Sequence, residues 1–332
     1  MAPTLLTRVA PTLLICAAAT LLACNSREAP APAPAVRGEY LAKLMGCPAC
    51  HSPDPARPYA GGLEAEEPPP AGPWRTPNLT PHAATGLGRW TDAQIIAAVR
   101  EGVRPDGRRL HPIMPYRCYR RLTDDDARAL VAFLRSLAPL ENASAPASAP
   151  VSSTAPTSVP ASPAAPASAP VSSSAPASPA APASASASAS ASPSPSDALA
   201  RRGEYLVALM HCASCHAAPG PNGSPDPAQP LIGGKPMRPF GAGLVSLGTG
   251  TLFASNLTPD RETGIGAWSA ADLARAIKSL ARPDGSPIRG PMQLYAAGWS
   301  VIDDRDLAAI AAYLRQLPPV RNAVPSATFQ AR

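Results

Sequence analysis

Two short stretches of this chain put two thiols and an imidazole at a spacing that suits one kind of chemistry. Cys47, Cys50 and His51 stand in one Cys-x-x-Cys-His segment, and Cys212, Cys215 and His216 in another. Cysteines three positions apart sit about one helical turn apart. Each can reach one vinyl group of a haem as a thioether, and the adjacent histidine is placed to ligate the iron. A thioredoxin-like redox pair would need a βαβ setting, which the surrounding residues do not supply. A zinc knuckle would need both pairs in one domain, whereas a long Ala/Ser/Pro tract lies between them. The expected cofactors are two covalently bound haem c groups with their irons. Cys47 and Cys50 would attach one and Cys212 and Cys215 the other, with His51 and His216 as iron ligands.

The second axial ligand follows from register. Met114 lies 36 residues after Asn78, and Met292 lies 36 residues after Asn256. Each Asn opens an Asn-Leu-Thr-Pro motif, and both methionines touch proline. A methionine on a proline-constrained loop can hold a soft thioether on iron, and such ligation raises the reduction potential. Met237 is the rival in the second copy. His82 and His111 have no histidine at the matching positions, which are Asp260 and Arg289, so they read as surface residues. His211 directly precedes Cys212 and cannot easily reach the far face of its own haem. Cys118, matched by Ala296, reads as a small, partly buried thiol. Arg104, Arg108, Arg109, Arg117, Arg120 and Arg121 bracket Met114 and could steer an acidic partner to it.

These residues must be positioned by two copies of one unit. RGEYLAKLMGCPACH (37–51) returns as RGEYLVALMHCASCH (202–216), and NLTPHAATGLGRW (78–90) as NLTPDRETGIGAW (256–268). LVAFLRSLAPL (130–140) returns as IAAYLRQLPPV (310–320). The drift in register places thirteen extra residues between the second Cys-x-x-Cys-His and its Asn-Leu-Thr-Pro. Each copy reads as helical. Thr91 and Gln94 form a capping-box signature, repeated by Ser269 and Asp272, and Gly102 reads as a stop. The closing helix starts near Thr123 and aligns Leu130, Phe133, Leu134 and Leu137 on one face, answered by Leu307, Ile310, Leu314 and Leu317. No strand-like alternation competes, so the expected fold class is all-α.

The domain reading is a signal peptide over 1–24, a Pro/Ala spacer over 25–36, a first haem domain over 37–141 and a linker over 142–197. A second haem domain over 198–322 and a tail over 323–332 complete it. The linker is nearly pure Ala, Ser and Pro, too apolar-poor to repay its ordering entropy. It is expected to be disordered, leaving the halves as tethered neighbours rather than a fixed pair. The apolar run from Val9 to Ala23 is too short to span a bilayer and reads as an export signal. It ends in Leu21-Leu22-Ala23-Cys24, similar to a bacterial lipobox, so Cys24 is expected to carry a lipid anchor in the bacterial periplasm. The net charge of +6 is spread over both copies, with no basic run interleaved with stacking aromatics, so nucleic acid is not an expected partner.

Each copy resembles a class I cytochrome c domain, and the whole resembles bacterial dihaem cytochromes c, including the cytochrome subunits of membrane-bound dehydrogenases. The resemblance rests on the Cys-x-x-Cys-His helices, the Asn-Leu-Thr-Pro stretches, RPDGRRLHPIMPY (104–116) and the closing helices. It implies first and last helices that cross, with Gly38 and Gly203 near the crossing. The long linker and the count of two haems, where such subunits usually carry three, depart from it. The expected function is electron transfer with His/Met irons, without catalytic residues, between redox proteins such as a membrane dehydrogenase or a terminal oxidase. The alternative is a haem enzyme, such as a dihaem peroxidase or a thiosulfate-oxidising cytochrome.

Overall fold

The computed structural model describes residues 33–65, 73–142, 194–218, 230–237, 248–328 and 330–331. The export segment with Cys24, most of the spacer and most of the linker lie outside these residues. The first half runs α1 (Pro34–Leu44), α2 (Cys47–His51), the ribbon β1 (Glu64–Ala65) and β2 (Trp74–Arg75), α3 (Asp92–Glu101), α4 (Tyr116–Tyr119) and α5 (Asp124–Ser136). The second half runs α6 (Pro195–Leu209), α7 (Ala213–His216), the strands β3 (Pro236–Met237), β4 (Gly248–Thr249) and β5 (Leu252–Phe253), then α8 (Ala270–Lys278). A 3-10 turn (Pro291–Tyr295), α9 (Ala296–Trp299), α10 (Asp304–Gln316) and β6 (Gln330–Ala331) complete it.

The helices begin where side chains supply the missing acceptors. Thr91 and Gln94 form the capping box of α3, and Ser269 and Asp272 that of α8. Gly102 ends α3 in the left-handed conformation, and the Thr123 hydroxyl caps α5. The second half starts earlier than the sequence suggests. Ser194 caps α6 through the Asp197 amide and Pro195 occupies its first turn, so residues assigned to the linker are helical. The fold is mostly α rather than purely so. Among the described residues three antiparallel ribbons, β1–β2, β3–β5 and β4–β6, sit in the loops. Strands of two residues are too short to write an alternation into the sequence. In β4–β6 the C-terminal tail folds back to pair with the extra residues of the second half.

In each half the first and last helices cross in contact. A Cβ on Gly38 would lie 1.9 Å from the Ala129 carbonyl oxygen, and one on Gly203 would lie 1.9 Å from that of Ala309. Glycine at both positions is what lets α1 meet α5 and α6 meet α10 at backbone distance. Around each crossing lies an apolar core, built on Leu41, Leu130 and Leu134 in one half and on Leu206, Ile310 and Leu314 in the other.

The halves are not merely tethered; they pack against each other with near two-fold reciprocity. Leu44 of α1 belongs to the core of the second half, and its repeat mate Leu209 of α6 belongs to the core of the first. Arg37 grips Asp126 through two hydrogen bonds of 2.9 Å, and Arg202 grips Asp306 through two of 2.8 Å. Each buried carboxylate then accepts a hydrogen bond from the opposite half: Tyr205 donates to Asp126 at 2.6 Å and Tyr40 to Asp306 at 2.8 Å. Sequence alone could not place these tyrosines across the boundary, because an identical RGEY in both copies fits either half equally well.

This lock is sensitive to acid. Burial alone would raise the Asp126 pKa, but hydrogen bonds from Arg37 and Tyr205 outweigh it and hold the carboxyl below the ordinary aspartate value of 3.8. A depressed carboxylate pKa adds stability that is complete above the unfolded value and is lost as pH falls through the folded one. Thermal melts between about pH 5 and about pH 3 should therefore show a fall in melting temperature. Part of that fall should vanish in Asp126→Asn, which is already weakened at neutral pH; an identical pH profile for both proteins would exclude the lock as its source.

Candidate functional site

α2 is one turn of helix that contains the whole first Cys-x-x-Cys-His, and α7 covers the end of the second. Each delivers its histidine into the interior, where His51 is 5% and His216 8% exposed. The His51 Nδ1 lies 2.9 Å from the Pro77 carbonyl oxygen, and the His216 Nδ1 lies 2.8 Å from that of Ser255. A carbonyl only accepts, so Nδ1 must carry the proton and Nε2 is left with its lone pair, the arrangement an imidazole needs to ligate a metal. Burial pushes the His51 pKa down to about 4 and lowers that of His216, so both rings are neutral at physiological pH.

The two carbonyls are presented by the Asn-Leu-Thr-Pro loops. Asn78 donates 2.7 Å to the Leu140 carbonyl and accepts from the Thr80 amide at 2.9 Å. Asn256 does the same with Val320 at 2.8 Å and Thr258 at 2.9 Å. The motif thus ties the loop before it, which holds the histidine, to the chain beyond the closing helix. Pro77 and Ser255 were not singled out from the sequence. Their position immediately before the repeated motif is the signal that could have found them.

Cys47, Cys50, Cys212 and Cys215 are all free thiols. Burial pushes Cys47 and Cys212 up to about 12 and Cys50 up to about 11, and it raises Cys215. They are therefore protonated, partly buried and held beside an oriented imidazole. That donor set fits a haem bound by two thioethers and one histidine.

Equal hairpins hold the two methionine loops at equal register. Gly107 donates to the Arg104 carbonyl and Gly285 to that of Arg282, each at 2.9 Å, closing matched Arg-Pro-Asp-Gly turns. Met114 follows in a tight turn whose amide bonds to the His111 carbonyl. Met292 sits in the 3-10 turn that follows Gly290. Both methionines pack, partly buried, on the core of their own half. Met237 lies in β3, opposite Leu252.

The His82 Nδ1 is 2.9 Å from the Thr85 hydroxyl, a local turn contact. The Cys118 thiol is buried at the boundary, 3.7 Å from the Ser214 hydroxyl inside the second Cys-x-x-Cys-His. Of the arginines near Met114, Arg104 and Arg108 are engaged by Asp106 and Arg121 by Glu204, while Arg109, Arg117 and Arg120 are exposed.

Comparison with known proteins bears on this twin arrangement. The cytochrome c family profile matches residues 35–138 and matches again over residues 200–318. The chain belongs to the cytochrome c family. Its two cytochrome c domains are similar to the cytochrome c subunit of a quinone alcohol dehydrogenase from Gluconobacter oxydans, at 34% identity over 86% of this chain and 55% of that protein. They are also similar to the gluconate 2-dehydrogenase cytochrome c subunit of Pantoea cypripedii, at 31% identity over 85% of the chain and 59% of the relative. A diheme cytochrome c of Cereibacter sphaeroides is 29% identical over 86% of both chains. This cytochrome c chain therefore spans only a little over half of the dehydrogenase subunits, but most of the diheme protein. Among the described residues no helix is long and apolar enough to cross a membrane.

Proposed function

We propose that this chain is a dihaem electron carrier that accepts electrons from a membrane-bound dehydrogenase and passes them to a further redox protein, such as a terminal oxidase. One observation carries the reading. Twice, two protonated cysteines precede, in one Cys-x-x-Cys-His segment, a buried, neutral histidine whose Nδ1 is tied to a carbonyl. Cys47 and Cys50 would hold one haem c and Cys212 and Cys215 the other, with His51 and Met114, and His216 and Met292, as axial pairs. When bound, each haem supplies one reversible one-electron couple at its iron.

The chain's own residues keep that couple simple. Pro77 and Ser255 fix the imidazole rings, so ligand orientation does not change with redox state. The buried surroundings exclude water and disfavour a second proton on either ring, which would free it from a metal. The methionine turns offer a soft thioether that favours the reduced state. No proton has to move, and no side chain is assigned a catalytic role. The dehydrogenase partner is supported by the relatives, and the count of two by the repeated motif and the diheme relative. We place the protein in the bacterial periplasm, anchored by a lipid on Cys24.

The test is to produce the protein in a host that attaches haem c in its periplasm, count haem by the pyridine haemochrome, and titrate it potentiometrically. The expected result is two haems per chain and two reversible transitions at positive potential, each with a near-infrared Met–Fe(III) band. A high-spin site that titrates at strongly negative potential and binds added ligands would overturn the reading.

A further inference from the structure

The two Cys-x-x-Cys-His segments approach each other at their first residues. Gly46 immediately precedes Cys47, and its repeat mate His211 immediately precedes Cys212. A Cβ built on Gly46 would lie 3.5 Å from the His211 Nε2 and 2.6 Å from the Tyr295 ring. The His211 ring is 8% exposed and makes edge contacts on both sides, 5.0 Å to the Tyr295 centroid and 6.3 Å to that of Tyr119. Tyr119, from the first half, donates to the Met45 carbonyl, one residue before Gly46. Tyr295, from the second half, stacks on Trp299 at 5.1 Å, and Trp299 donates to the Leu44 carbonyl of the first. Three aromatic rings therefore fill the space between the segments that carry the two sets of thiols. Burial disfavours ionisation of Tyr295.

His211 is conformationally out of place. Its φ is +44°, in the left-handed region, where Gly46 sits at +74°. A non-glycine residue there is strained, and the first half shows that glycine suffices to turn the chain into the motif. The structure retains an imidazole at a backbone position built for glycine. Its pKa is pushed down to about 4 by burial, so the ring brings no charge to the boundary.

We propose that His211, with Tyr295 and Tyr119, is a positioning bridge that couples the two haem sites, so that an electron entering either half equilibrates rapidly with the other. This rests on the proposed function. In the step, one site is oxidised by one electron as the other is reduced by one; no bond forms and no proton moves. Electron tunnelling falls off exponentially with distance, and faster across a void than through packed atoms. The bridge acts by keeping this space short and filled.

The experiment uses the holoprotein with its haem count verified first. A wild-type count below two would refute the proposed function itself, a failure distinct from that of the bridge. A flash of photogenerated reductant delivers less than one electron per molecule, and redistribution between the two sites is followed spectrally. His211→Gly removes the ring without backbone strain and should slow redistribution at least tenfold, leaving both potentials and the bisignate Soret circular dichroism of neighbouring haems intact. Tyr295→Phe, which keeps the ring, should match the wild type. An unchanged rate in His211→Gly overturns the bridge. So does loss of the Soret couplet in both His211→Gly and His211→Asn, since the residue would then be holding the fold rather than coupling the sites.

Discussion

Alanine at Gly38 should cost the first half its fold. The added methyl would lie 1.9 Å from the Ala129 oxygen, 2.6 Å from its carbonyl carbon and 2.7 Å from the Phe133 Cβ. None of these is the far end of a flexible side chain that could swing aside. α1 and α5 would have to separate along their shared face, loosening Leu41, Leu130, Phe133 and Leu134 together. Overpacking of a tight core costs ~1–3 kcal/mol and occasionally more, against the ~5–15 kcal/mol that holds a domain together. On the proposed count, haem should fall from two to one per chain, with a lower melting temperature, and Gly203→Ala should do the same to the other half. Gly107→Asn is the control, because nothing lies within 4 Å of its Cβ and asparagine tolerates the left-handed backbone. A Gly38→Ala protein that melts like the wild type and keeps both haems would refute the crossing.

With Met114 and Met292 as the proposed axial ligands, Met114→Ala and Met292→Ala should each shift one of the two redox transitions and leave the other in place. Losing the thioether removes the ligand that favours the ferrous state, so the affected potential should drop by on the order of 0.1 V or more. One of the two near-infrared Met–Fe(III) bands should disappear, and the vacated position should bind an added imidazole or cyanide. The same series decides between Met292 and Met237, since Met237→Ala should leave both bands intact. If Met292→Ala retains both bands and Met237→Ala loses one, the ligand in the second half lies on β3.

The cysteines, the histidines and the helix ends were legible because each depends on residues close together in sequence. Capping boxes span four positions and Cys-x-x-Cys-His spans five. The equal spacing to Met114 and Met292 was also visible, and the matched Arg-Pro-Asp-Gly turns give its physical cause. The boundary between the halves was not legible. Tyr40 and Tyr205 lie on amphipathic helices whose pattern reports that a face is buried but not what buries it. The same limit hid Leu44 and Leu209, which look like ordinary core positions of their own halves. The start of α6 was missed because an Ala/Ser/Pro composition masked the local cap formed by Ser194, Pro195 and Asp197.

The reciprocal lock is what an isologous homodimer would present: the same patch on both partners, each contact made twice. In a dimer of identical chains, a residue near the symmetry axis must meet its own copy, so two histidines would collide where His211 now meets Gly46, and two glycines would leave a hole. Joining the copies in one chain removes that constraint. One copy can keep the small residue and the other can grow into its space, so the centre of the interface becomes asymmetric while the periphery, with its paired Tyr, Asp and Arg, stays twofold. Fusion thereby gives the pair an asymmetric aromatic centre that a homodimer of either half could not assemble.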